Sequence, residues 1–247
     1  MAILVFEHEQ AGESARLGAV LGDHGHRLRV VQLYRGQAMP VDLDDVDAIL
    51  SMGGPMNVGD ADEHPWMQPE IDLLRQAHER DIPIVGICLG AQLLASALGG
   101  EVAAMENPEV GWHRVRLAFP GTTDPLLAGT PWNSMQFHMH GQEVVELPPD
   151  AVALAGSAAC RTQAFKVGLR SYGFQYHFEL MQADIDELLT KRHQWLTDAA
   201  VDVDAVRRAH DEHYPMYRHL SDRLAHNIAQ LLVPIDKRLV GARSRMV

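Results

Sequence analysis

Apolar positions in the first hundred residues fall into short, nearly continuous runs, separated by stretches in which they recur every three or four residues. Ala2–Phe6, Leu28–Leu33, Val46–Met52 and Ile82–Ile87 read as strands buried on both faces. Ser14–Leu21, a segment from about Trp66 to Arg80, and Leu89–Leu98 read as helices, the last ending at Gly99-Gly100. Such alternation predicts an α/β fold: a three-layer sandwich with a mainly parallel central sheet and helices on both faces.

From Val102 to Gln175 the pattern changes. Val115–Leu117, Val144–Glu146, Val152–Leu154, Ala164–Lys166 and Tyr172–Phe174 are brief strand-like segments separated by Gly, Pro and Asn. This stretch reads as a mixed or antiparallel region returning to the main sheet. After Glu179 the spacing of Ile185, Leu188, Leu189, Trp195 and Leu196 is helical, and Pro215 is expected to open a last helix through Leu232. The chain therefore divides into a main domain, residues 1–180, and a helical extension, residues 181–247, packed on it. That extension would cover the sheet or make a homodimer contact.

Composition narrows the class. The chain has 247 residues, 47% hydrophobic and 22% charged, as in ordinary globular domains. Its formal charge is −12, and the acidic excess belongs to residues 1–180. No cluster of Lys and Arg is present to displace counterions, which argues against a nucleic-acid or anionic membrane partner. The apolar start is too short for a signal segment and no run approaches a membrane span, so a soluble, cytoplasmic protein is expected. There are two cysteines, Cys88 and Cys160.

Cys88 lies in Gly86-Ile87-Cys88-Leu89-Gly90, where a buried strand runs straight into an Ala- and Leu-rich helix. A strand-to-helix elbow holds a nucleophile in a strained conformation, and glycines on either side let neighbouring backbone pass closely. The helix N-terminus also favours thiolate. An isolated Gly-x-Cys-x-Gly fits a buried structural cysteine equally well; the elbow setting moves the reading to function. Cys160 has no elbow and no nearby base, and reads as structural. A thiol nucleophile needs a base, and the base needs a carboxylate to fix its tautomer. Tyr172-Gly173-Phe174-Gln175-Tyr176-His177-Phe178-Glu179 alternates as a strand should and supplies both, with His177 and Glu179 projecting on one side at its end.

Together, Gly86–Gln92 and Phe174–Glu179 resemble the class I (triad) glutamine amidotransferases, most of all free-standing relatives of the GMP synthase glutaminase domain. The resemblance covers residues 1 to about 180 and implies a flavodoxin-like fold with Cys88, His177 and Glu179 as the triad. Phe178 stands where many members have proline. Ser51-Met52-Gly53-Gly54-Pro55-Met56-Asn57 is similar to the family's glycine-rich oxyanion loop. Its Gly54 N–H, with the Leu89 N–H, is the expected donor pair, each worth on the order of a hundred- to a thousand-fold in rate. Gly53, Gln92, His140 and Gly141 fall at positions the resemblance assigns to bound glutamine. Met139 and Gln142 depart from the His-Trp-His-Gly-Asp common in relatives. Gly111-Trp112 also resembles a family segment, and a core or lid tryptophan is expected there.

His138 and His140 alternate on one strand face, but two histidines without a third ligand at clear spacing do not make a metal site, and pocket lining or surface is expected. No metal and no cofactor are expected, and the tail carries no phosphate-binding glycine loop. The resulting reading is cysteine-dependent hydrolysis of glutamine or a γ-glutamyl compound. Ammonia or an amine would leave, either toward a synthetase subunit or to solvent as in a stand-alone γ-glutamyl peptide hydrolase. A non-catalytic or partner-dependent regulatory subunit is the alternative class. Isomerase and deglycase-like proteins share the cysteine elbow, but fit Leu89–Gln92 and the His177–Glu179 spacing less well.

Overall fold

The computed structural model describes residues 2–11 and 13–233, so the end of the expected 181–247 extension lies outside the described residues. The elements are β1 (Ala2–Glu7), α1 (Ala15–Asp23), β2 (Leu28–Gln32), β3 (Val46–Ser51), α2 (Met67–Glu79), β4 (Ile84–Ile87), α3 (Leu89–Ala97), β5 (Glu101–Leu117), α4 (Phe119–Thr123), β6 (Asn133–Glu146), β7 (Ala151–Gly156), β8 (Ala164–Val167), β9 (Ser171–Phe174), α5 (Gln182–Lys191), α6 (His193–Asp198) and α7 (Val203–Asn227).

The strands form one sheet in the order β2-β1-β3-β4-β9-β8-β7-β5-β6. Pairing is parallel from β2 across to β9 and antiparallel from β9 across to β6. The expectation of a mainly parallel sheet is thereby corrected: the sheet is mixed. Connection length is the physical reason. Helices α1 and α2 link β1 to β2 and β3 to β4, and a thirteen-residue connection links β2 to β3, each returning the chain to the same end, whereas β7, β8 and β9 are joined by short loops that reverse it. The brief segments read at Val115–Leu117 and Val144–Glu146 are the ends of two long strands, β5 and β6. Their pairing shifts register between Ala104 and Glu109, and this bulge, with the polar run around it, hid their continuity.

Alternation along β1 divides the core. Ile3 and Val5 face a cluster with Leu17, Leu21, Leu50, Ile87, Phe174 and Leu224, under α1 and α7. Leu4 and Phe6 face the other side, with Ile49, Leu74, Ile84 and Leu94, under α2 and α3. A third cluster joins Val110 and Phe137 to Ile185, Leu189, Leu196 and Tyr217, so the C-terminal helices pack on the β5–β6 arm. Helices thus cover both faces.

Pro215 does not open the last helix. It lies inside α7, which starts twelve residues earlier with the Asp202 carboxylate capping Ala205 N–H at 2.9 Å. An interior proline costs roughly 3 kcal/mol. Burial of His210 before it and of Tyr217, Leu220 and Leu224 after it offsets that cost.

The β4–α3 junction is packed backbone to backbone. A methyl group on Gly90 would stand 2.0 Å from Ser51 O, and one on Gly86 would stand 2.4 Å from Gly90 O. Gly90→Ala should therefore destabilise the fold by about 1–3 kcal/mol or more, read as a fall in urea midpoint, whereas Gly22→Ala, in open space on α1, should not.

Candidate active site

Cys88 caps α3 with φ 52° and ψ −108°. A non-glycine residue held there is strained by roughly 1–3 kcal/mol. It is fixed by its N–H donating to Phe174 O at 2.8 Å, while Gly90 N–H donates to Met52 O at 3.1 Å. The side chain is buried but borders a cavity of about 320 Å³, and its Sγ lies 3.8 Å from Met139 O.

The His177–Glu179 pair forms, though not by strand alternation. β9 stops at Phe174, and beyond it the chain makes a single antiparallel bridge, His177 N–H to Phe137 O at 2.9 Å. His177 Nδ1 meets Glu179 Oε1 at 2.7 Å, and Glu179 Oε2 accepts the Phe178 N–H at 2.9 Å. A proline at 178 would have no N–H to give, so the family departure at Phe178 adds a hydrogen bond that fixes the carboxylate. Burial pulls the His177 imidazole toward neutrality. The Glu179 carboxylate and the Cys88 thiol oppose this and leave its pKa well above the ordinary value.

The residues singled out from the sequence converge on one place. Gly53, Gly54, Cys88, Gln92, His140, Gly141 and His177 all line the cavity, with Leu89 and Glu179 buried directly behind. A methyl group on Gly53 would stand 2.9 Å from His177 Cε1 and 3.6 Å from Cys88 Cβ, so no other residue fits over that pair. Among the described residues, nothing accepts a hydrogen bond from Gly54 N–H or Leu89 N–H. The Gln92 amide donates to Gln142 O and to Gln175 Oε1, both at 3.0 Å, tying α3 to the cavity wall. Cys160 is fully buried, its thiol donating to Thr162 O, and burial pushes its pKa up. Trp112 is partly buried and packs edge-on against Phe137 and Tyr217, beside the third cluster under α7.

Three groups escaped sequence reasoning. Leu188, Arg192 and Trp195, from α5, its end and α6, close one side of the cavity, and Arg192 pairs with Glu9 there. A second group lies behind the glycine loop. His8 Nδ1 faces Met52 O at 3.0 Å and Gly53 O at 3.4 Å, its Nε2 faces Glu70 Oε2 at 2.8 Å, and Ser51 Oγ donates to Glu70 Oε1 at 2.6 Å. Both ring nitrogens meet acceptors, which favours the imidazolium; burial lowers its pKa, but Glu70 and the two carbonyls raise it more. Third, Glu109 supplies the ligand-type side chain that the sequence did not show beside His138 and His140. It lies across β5–β6 and about thirty residues away, which no local spacing reveals. No helix among the described residues is long and apolar enough to cross a membrane.

Known proteins share the family and fold of this chain. The family model "Glutamine amidotransferase class-I" matches residues 15–194. The chain is 31% identical to the glutamine amidotransferase-like protein YfeJ of Salmonella typhimurium, over 72% of this chain and 75% of that one. It is 32% identical to a glutamine-hydrolyzing GMP synthase subunit of Thermoplasma volcanium, over 56% of this chain and 65% of that one. A crystal structure of a glutamine amidotransferase from Methylobacillus flagellatus superposes with a TM-score of 0.81 at 25% identity, covering 92% of this chain and 93% of that one. The chain belongs to the class I glutamine amidotransferase family.

Two outcomes follow from the buried charges. Glu70→Ala leaves the His8 charge unpaired and should cost roughly 3–5 kcal/mol, seen in chemical denaturation. NMR titration should find His177 protonated well above pH 6.5, and Glu179→Gln should bring that midpoint down. Because the folded value is raised, the proton on His177 contributes stability that is complete below about pH 6.5 and is lost as pH rises through the folded midpoint; Glu179→Gln should shrink that alkaline loss.

Proposed function

We propose that the chain hydrolyses the side-chain amide of glutamine, or of a related γ-glutamyl compound, through a γ-glutamyl thioester on Cys88. The observation that carries this reading is the strained Cys88 elbow opening on the same cavity as the His177–Glu179 pair. In the first step the Cys88 thiolate bonds to the δ-carbon, and charge moves onto the carbonyl oxygen. The N–H groups of Gly54 and Leu89, which donate to no other group among the described residues, are the donors for that oxygen. As the tetrahedral adduct collapses the C–N bond breaks, and His177 gives its proton to the departing nitrogen. Water, deprotonated by His177, then attacks the thioester, and glutamate and the thiol are released. Glu179 stays ionised throughout and holds the imidazole in register. Glu9 and Arg192, which line the cavity as an ion pair, are the charged groups offered to an α-ammonium and an α-carboxylate.

This reading leaves two destinations for the departing nitrogen. The likeness to a GMP synthase subunit favours ammonia passed to a synthetase partner. The cavity wall favours a second reading: Met56, Leu188 and Trp195 offer apolar contact to a larger amine portion, as in a stand-alone γ-glutamyl hydrolase.

Incubation with a glutamine-like diazo-ketone should add one label on the Cys88 peptide by mass spectrometry, and Cys88→Ala should abolish turnover while leaving the stability within about 1 kcal/mol of wild type. An unlabelled Cys88, or activity that survives its removal, would sink the mechanism. Comparison of free glutamine with γ-glutamyl conjugates as substrates then separates the two destinations.

A further inference from the structure

The cluster formed by Glu109, His138 and His140 has no task in the acyl-transfer chemistry, and its arrangement is unusual for an apolar-packed sheet face. In the β5–β6 pairing Glu109 stands directly opposite His140, with Gly111 opposite His138. Strand alternation therefore puts His138, His140 and Glu109 on one face. All three are buried, with His138 at 0% exposure and the other two at 3%. His138 Nδ1 lies 3.5 Å from Glu109 Oε2, and His140 Nε2 lies 3.2 Å from that same oxygen. Yet among the described residues both nitrogens of His138 and Nε2 of His140 lack a hydrogen bond of acceptable geometry. Three buried imidazole nitrogens without a well-formed hydrogen bond, two of them in ion-pair range of one carboxylate oxygen, need an explanation.

We infer that Glu109, His138 and His140 bind a divalent transition-metal ion, with zinc the best match to the donor set. Two imidazoles and a carboxylate are borderline ligands of the kind zinc takes. Ligands about 2.0–2.1 Å from a tetrahedral centre lie about 3.3–3.5 Å from one another, and the two nitrogen–oxygen separations above fall close to that spacing. The surroundings are those a metal-ligating set requires. His140 Nδ1 is held by Gln142 O at 3.0 Å, which leaves Nε2 as the free lone pair. The Gln163 amide donates to Glu109 Oε2 at 2.6 Å and orients the carboxylate. His113 stands outside this three-residue set, its Nε2 on Val110 O at 2.7 Å and its Nδ1 4.0 Å from Glu109 Oε1.

The ion would brace β5 against β6 where β6 forms the cavity wall. His140 lines the cavity, and the carbonyl of its neighbour Met139 lies against Cys88 Sγ. Its role is positional, since no ligand belongs to the Cys88–His177–Glu179 set.

The test is run in a Cys88→Ala background, so that a metal on the nucleophilic thiol cannot be mistaken for this site. Titration with Co²⁺ should give saturable, one-to-one visible absorption of tetrahedral intensity that Zn²⁺ displaces, and Zn²⁺ should raise the melting temperature. Glu109→Gln and His138→Ala should weaken binding by about a hundredfold or more, and Gln163→Ala by about ten- to a hundredfold, with far-UV circular dichroism unchanged. A Cys88→Ala chain that takes up neither ion overturns the inference without any cluster variant being needed. Undiminished binding in Gln163→Ala and in a folded Glu109→Gln or His138→Ala also overturns it.

Discussion

The backbone at Cys88 is the constraint on which the rest of the architecture depends. A cysteine at φ 52° relaxes unless its neighbours leave it no alternative. Here the preceding strand is clamped between β3 and β9, Cys88 N–H is taken by Phe174 O, and Gly90 is pressed against Ser51 with no room for a methyl group. The strain is thus supported by the centre of the sheet, its most rigid part. A thiol held this way keeps its direction while the groups around it turn over, which suits a nucleophile that attacks and is released.

The mixed sheet explains how groups far apart in sequence reach that thiol. β9 returns beside β4 in parallel, with Ile87 level with Phe174. Residues just past the end of β9 therefore lie next to those just past the end of β4. His177 follows Phe174 by three positions and is caught by Phe137 of β6, which ties the antiparallel arm to the same point. Had β5–β9 continued the parallel winding, β6 would not cross that edge and the cavity would lack one wall. The imidazole and carboxylate are pinned by backbone groups on both sides: Phe137 O takes the His177 N–H and Phe178 N–H reaches Glu179 Oε2.

Much of this was legible because it is local. The runs Ala2–Phe6 and Ile82–Ile87 announce buried strands, and Gly86-x-Cys88-x-Gly90 with His177-x-Glu179 marks the site through residues close in sequence, although the second pair is set by the bridge to Phe137 and not by strand alternation. What stayed hidden depends on pairing. Glu70 sits in an ordinary amphipathic helix, and only the fold shows it beneath Ser51 and His8. Glu109 gains its meaning from the residue opposite, which is set by a register shift in a hairpin. Pro215 misled for a different reason: proline at N1 is a good helix-start signal, but Asp202 already caps α7 and tertiary burial carries the helix through the proline.

The C-terminal helices show why the main domain alone does not define the pocket. The sequence boundary at residue 180 follows a change of pattern, yet the cavity runs across it, with Leu188, Arg192 and Trp195 lining it together with Gly53 and Gly54. Trp195 reaches over Gly141, where a methyl group would already touch its ring at 3.4 Å. The helices are also anchored beneath, through Ile185, Leu189, Leu196 and Tyr217 on Val110 and Phe137. Phe137 is the residue whose carbonyl holds His177. Packing of α5–α7 therefore bears on both the reach of the cavity and the position of the imidazole beside Cys88, so the two are coupled through one strand.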